Sequence, residues 1–130
     1  MTKKVLVVDD NPVSRELVRE VLQSPDIEVL EASNGQEALD RITASFPDLV
    51  LLDLRMPGMG GFNVLQEIRQ SPRLCSIRVI AFTAHAMRGD REKGLAAGFD
   101  GYITKPIQAA TLRKQIEQIL FAQEGTNVGS

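Results

Sequence analysis

Asp48-Leu49-Val50-Leu51-Leu52-Asp53 is four aliphatic residues closed at each end by a carboxylate. A strand covered on both faces reads as a continuous apolar run rather than an alternating one. This is the most apolar candidate strand of the chain, so it is placed at the centre of a sheet. Asp53 then stands where that central strand leaves the core.

The same pattern repeats on both sides. Val5-Leu6-Val7-Val8 is a second β-branched-rich run and ends in Asp9-Asp10. Asn11 offers a helix N-cap and Pro12 a first helical residue. Val13, Leu17, Val18, Val21 and Leu22 follow at helical spacing until Ser24-Pro25-Asp26 breaks the helix. Ile27 to Ala32 carries Glu28 and Glu31 among apolar residues, as an edge strand does. Asn34 with Glu37 resembles a capping box, Ala38, Leu39 and Ile42 form a helical face, and Phe46-Pro47 closes it. Beyond Asp53, residues 55 to 61 form a Gly- and Pro-rich loop. Phe62, Leu65 and Ile68 mark a third helix, and Ile77 to Phe82 a fourth strand. Arg88 to Ala97 reads as a helix weakened by Gly89 and Gly94. Tyr102-Ile103-Thr104 is a short fifth strand, and Leu112, Ile116, Ile119 and Leu120 mark the last helix. Residues 1–122 are expected to be one domain and the polar stretch 123–130, with two glycines, a frayed flexible tail.

Five strands alternating with five helices predict an α/β fold with a parallel sheet covered on both faces. The flavodoxin-like, doubly wound (βα)5 arrangement has strand order 2-1-3-4-5 and sets the first and third strands side by side. Ligands in such sheets bind beyond the carboxyl ends of the strands at that switch point.

Composition agrees with one globular domain. The chain has 130 residues, 43% hydrophobic and 25% charged, with a net charge of −2. No long basic stretch offers a nucleic-acid footprint, so direct nucleic-acid binding is not expected. The longest apolar run, Leu49 to Leu52, is far short of the roughly 20 residues of a membrane helix, so no membrane insertion is expected. The acidic Asp9-Asp10 pair argues against a secretory leader. Cys75 is alone, read as an inert, partly buried thiol, and a cytoplasmic location is expected.

The carboxyl ends of the strands carry the chemistry. The first ends in Asp9-Asp10, the third in Asp53 and the fourth in Thr83; Lys105-Pro106 follows the fifth. Adjacent strands lie about 4.8 Å apart, so the three acids converge in one crevice. Alone they would repel one another, and at least one would hold a proton. Their charge is balanced by one Mg²⁺ and one Lys⁺, and carboxylate oxygens are the hard ligands Mg²⁺ prefers. Such a site suits phosphoryl transfer. A carboxylate is itself a nucleophile, ionised at neutral pH without a general base. The single His85 cannot supply a multi-histidine metal site. Taken singly, each residue has a plain structural reading: a helix N-terminal acid, a turn residue, a strand hydroxyl, a surface lysine. Their meeting on one sheet edge is what carries weight.

At these residues the chain resembles the CheY-like receiver domain of bacterial two-component response regulators, over about residues 3 to 122, and is expected to be of the stand-alone, single-domain type. The matching stretches are Val5 to Asn11, Leu51 to Gly61, Ala81 to Ala84 and Tyr102 to Pro106. The resemblance implies that Asp53 accepts the phosphoryl group. Asp10 binds Mg²⁺ directly, Asp9 directly or through water, and the Arg55 backbone carbonyl is a further ligand; Mn²⁺ is a possible substitute. Lys105 pairs with Asp53 and then with a phosphoryl oxygen. Thr83 follows the phosphoryl group, Tyr102 turns as a rotameric switch, and Lys105-Pro106 is a cis peptide. The surface of the fourth helix, fifth strand and fifth helix then changes and controls a partner protein, whose identity the sequence does not give. The donor is a phosphohistidine on a sensor histidine kinase or a histidine phosphotransfer protein. The chain is not a conventional enzyme but catalyses its own aspartyl phosphorylation and hydrolyses the acyl phosphate. Arg55 and His85 stand at positions that vary in the family, and tuning of the phosphorylated lifetime is expected of them. Alternatives are a receiver cut from a hybrid kinase or longer regulator, an Mg²⁺-dependent aspartyl-phosphate phosphatase, and a flavin binder. The phosphatase family wants Asp-x-Asp and a cap domain. The loop Asp9-Asp10-Asn11-Pro12 lacks the Ser/Thr/Gly character that cradles a flavin phosphate.

Overall fold

The computed structural model describes residues 2–54, 60–83, 96–104 and 108–129, the last eight for their backbone only. Strands β1 (Lys3–Val8), β2 (Ile27–Ala32), β3 (Leu49–Leu52), β4 (Arg78–Thr83) and β5 (Gly101–Thr104) alternate with helices α1 (Pro12–Leu22), α2 (Gly35–Ser45) and α3 (Gly61–Gln70); α4 (Ala109–Gly129) follows β5. All pairings are parallel, in the order β2-β1-β3-β4-β5. The strand order and fold class expected from the sequence are both observed. Of the helix expected over 88–97, Ala96 and Ala97 are described and are helical; the remainder lies outside the described residues.

Alternation along the strands divides the core into two layers. Leu6, Val8, Val50, Leu52, Val79 and Ala81 face one side with Ala38 and Ile42 of α2 and Val64, Leu65 and Ile68 of α3. Val5, Val7, Leu49, Leu51, Ile80 and Phe82 face the other, with Val18 and Leu22 of α1 and Leu112, Ile116 and Leu120 of α4. All four residues of β3 are buried, as its composition predicts.

Local chemistry sets the helix starts. The Asn11 side chain accepts a hydrogen bond from the Val13 N–H at 2.9 Å, with Pro12 at the first helical position. Asn34 caps α2 by accepting from the Glu37 N–H at 2.8 Å. The Glu37 carboxylate reaches back one residue further than a capping box requires, to the N–H and hydroxyl of Ser33. Phe46 closes α2 in the left-handed region, at φ 47°.

Three apolar residues that the spacing sets on helical stripes are exposed. Val13 is 68% and Leu17 40% exposed on α1, and Phe62 is 42% exposed while Val64 fills the core. A helix stripe buries only what the sheet beneath it covers, and α1 is covered at Val18 and Leu22. Cys75 is exposed rather than partly buried, beside the Pro72 carbonyl. Helix α4 runs through the boundary expected at residue 123. Gln123 and Glu124 are good helix formers, and Gly125 is the first tail residue that opposes a helix.

Candidate functional site

The register places the acids. Val8 pairs with Leu52, so Asp9 and Asp53 leave the sheet side by side, and the Asp53 N–H donates to the Val8 carbonyl at 3.0 Å. One carboxylate oxygen from each of Asp9, Asp10 and Asp53 lies within 4.8 Å of the others. Asp10 is exposed, which leaves the cluster open to solvent, whereas Asp9 and Asp53 are buried.

Among the described residues the buried polar or charged side chains are Asp9, Asp53 and Thr83, all at this edge. Burying polar and ionisable groups is costly, so their grouping at one edge marks a candidate site. Leu52 pairs with Ala81, which sets Thr83 two residues on at the same edge of the neighbouring strand. Ala81 in turn pairs with Tyr102. Strand alternation puts Ala81 and Thr83 on one sheet face, and Tyr102 packs against the core layer of that face. Thr83 and Tyr102 thus lie on one face of adjacent strands, two register positions apart. Arg55, His85, Lys105 and Pro106 lie outside the described residues.

The donor set suits a hard divalent cation. Three carboxylate oxygens at such mutual distances, with no nitrogen or sulfur ligand among the described residues, match the preferences of Mg²⁺ or Mn²⁺. Asp9 and Asp10 would hold the ion with Asp53.

Sequence reasoning passed over two residues that build this edge, Arg15 and Gly61, and a third, Arg69, at the opposite end of the strands. Arg15 donates from Nη1 to the Asp9 carbonyl at 2.6 Å and from Nε to Glu31 Oε1 at 3.1 Å. Gly61 packs on the acceptor's backbone: a Cβ there would lie 2.5 Å from the Asp53 carbonyl oxygen and 2.9 Å from Leu54 Cα. Arg69 donates to the carbonyls of Cys75, Ile77 and Gly98 and pairs with Asp100 at 2.8 Å, fixing the segment that leads into β5. Only Gly61, the second of two adjacent glycines, carried a sequence signal.

Comparisons with known proteins agree with this geometry. Residues 5–117 match the sequence profile of the response regulator receiver domain. The polar-differentiation response regulator DivK of Brucella ovis is 36% identical over 120 residues, covering 92% of this chain and 98% of that protein. Among solved structures, chemotaxis protein CheY4 of Vibrio cholerae superposes with a TM-score of 0.84 at 29% identity, covering 92% of this chain and 99% of that one. The signal receiver domain of a putative Luxo repressor protein from Vibrio parahaemolyticus gives 0.87 at 25% identity, covering 100% and 98%.

Proposed function

The chain belongs to the response regulator receiver family, and on that footing we propose that it takes a phosphoryl group onto Asp53 and signals by a change of shape. The observation that carries this reading is the meeting of Asp9, Asp10 and Asp53 within 4.8 Å at the carboxyl end of the central strands.

In the proposed step a carboxylate oxygen of Asp53 attacks the phosphorus of a phosphohistidine on a histidine kinase or phosphotransfer protein. The new bond is O–P, the P–N bond breaks, and the leaving imidazole nitrogen keeps the electron pair and takes a proton. Mg²⁺, when bound, neutralises charge on the transferring group. Asp9 and Asp10 orient that charge, Thr83 donates a hydrogen bond to a phosphoryl oxygen, and Lys105 pairs with another. The Arg55 carbonyl would be a further metal ligand, and Arg55 and His85 would set how long the acyl phosphate lasts. Hydrolysis at Asp53 returns the carboxylate, so the protein acts on its own phosphoryl group and turns over no outside substrate.

Phosphorylation adds nearly two negative charges at one point. Thr83 follows them, and Tyr102, on the same face, turns into the space released. Beside Tyr102 a cleft of about 310 Å³ is lined by Ile103, Thr104, Gln108, Thr111, Leu112 and Gln115. It would be remodelled by that turn, which biases two packings already accessible. Among the described residues its lining carries no charge.

Incubation with Mg²⁺ and a small phosphodonor, followed by intact mass, tests the reading. One added phosphoryl group is expected, absent in Asp53→Asn. Turnover of a phosphate ester without self-labelling would support the phosphatase reading instead.

A further inference from the structure

Asp9 and Asp10 are adjacent, so one peptide plane joins two of the three acids. That plane is rigid, and turning it swings both side chains. Its carbonyl, the Asp9 oxygen, accepts the 2.6 Å hydrogen bond from Arg15 Nη1. The Asp9 N–H donates to the Ala32 carbonyl at the end of β2, at 3.1 Å. One Asp9 carboxylate oxygen accepts from the Asn11 N–H at 2.9 Å. Arg15 is itself held: its Nε meets Glu31 Oε1 at 3.1 Å, and Arg19 Nη2 holds Glu31 Oε2 at 2.8 Å. The Arg15 side chain is only 17% exposed, so this grip is sheltered from solvent.

Resting on the reading that these acids hold a divalent cation, we propose that Arg15 is a positioning residue, which sets the peptide plane between Asp9 and Asp10 and thereby the fit of the site to Mg²⁺. Two effects of Arg15 have opposite signs. As a cation beside the cluster it opposes an incoming dication, so its loss would tighten metal binding. As a clamp it orients two ligands, so its loss would loosen binding. Glu31 lies against the guanidinium and cancels much of its charge, which leaves the clamp dominant. Ion type separates the two effects further. Mg²⁺ demands near-ideal octahedral geometry and sheds water reluctantly, whereas Ca²⁺ accepts irregular coordination. Losing the clamp therefore harms Mg²⁺ more than Ca²⁺.

Calorimetric titration with Mg²⁺ and with Ca²⁺ tests this on the wild type, Arg15→Ala, Arg15→Lys and Glu31→Gln, each first shown to be folded by its melting curve. Arg15→Ala is expected to weaken Mg²⁺ binding about tenfold, the lower range for loss of a group that orients metal ligands. Ca²⁺ binding falls less, so the Mg²⁺/Ca²⁺ preference drops. Arg15→Lys lies between, since one ammonium cannot reproduce the guanidinium fork. It carries the test if the alanine variant does not fold. Glu31→Gln frees the guanidinium and weakens Mg²⁺ in the same direction. Unchanged or tighter Mg²⁺ binding in Arg15→Ala, or equal loss for both ions, overturns the proposal alone. A wild type that binds neither ion removes the metal-site reading and the proposal with it.

Discussion

Gly61 shows how closely the acceptor is packed. A methyl group there would meet two backbone atoms, the Asp53 carbonyl oxygen and Leu54 Cα, neither of which can rotate away. Gly61→Ala should therefore destabilise the fold by about 1–3 kcal/mol, as overpacking does, read as a lower urea midpoint. Gly60→Ala has only one contact, at 3.9 Å to the Leu54 carbonyl, and should change the midpoint far less. Glu37 makes a second prediction at this scale. Hydrogen bonding to the Ser33 backbone holds its carboxyl below the ordinary carboxylate range, against opposition from desolvation. A carboxyl with a lowered folded pKa stabilises the protein above its unfolded value, about 4.3 for Glu, and loses that effect as the pH falls through the folded value. The stability gap between wild type and Glu37→Ala should be full near neutral pH and shrink below about pH 4. A gap that persists unchanged in acid would show that the carboxylate charge contributes nothing.

At the scale of elements, the caps do measurable work. Asn34→Ala removes the acceptor for the Glu37 N–H and should cost about 1 kcal/mol, read by chemical denaturation. The elements also show what was legible in the sequence. Asn11-Pro12, Asn34 and the aliphatic runs are local signals, and each became the cap or strand it predicts. Which apolar residues of a helix meet the sheet is not local, because it depends on where the strands beneath it end. That is why Val13 and Leu17 are exposed while Val18 and Leu22 of the same stripe are buried. The acids were legible because strand ends converge by topology. Arg15, Glu31 and Arg69 were not, because the contacts of a long cationic side chain depend on three-dimensional neighbours far away in sequence. Arg69 reaches Gly98 across 29 positions, and Arg15 reaches Glu31 across 16.

At the scale of the whole molecule, two apolar layers leave one polar edge. Phe82 lies in the layer beneath α1 and α4, fully buried one residue before Thr83. Phe82→Ala should cost about 3–5 kcal/mol, measured by denaturation. That edge gathers the acids, with buried Asp9 and Asp53 beside exposed Asp10. On the proposed reading, a cation and then a phosphoryl group would change the charge at the ends of β1, β3 and β4 together. The most direct test of this account locates the acceptor chemically. The protein is phosphorylated with a small phosphodonor, reduced with borohydride so that an aspartyl phosphate becomes homoserine, and mapped by peptide mass spectrometry. The account predicts homoserine at position 53 alone, and only when Mg²⁺ is present. Labelling at Asp10 or another acid, or labelling of Asp53 that is indifferent to Mg²⁺, would contradict it.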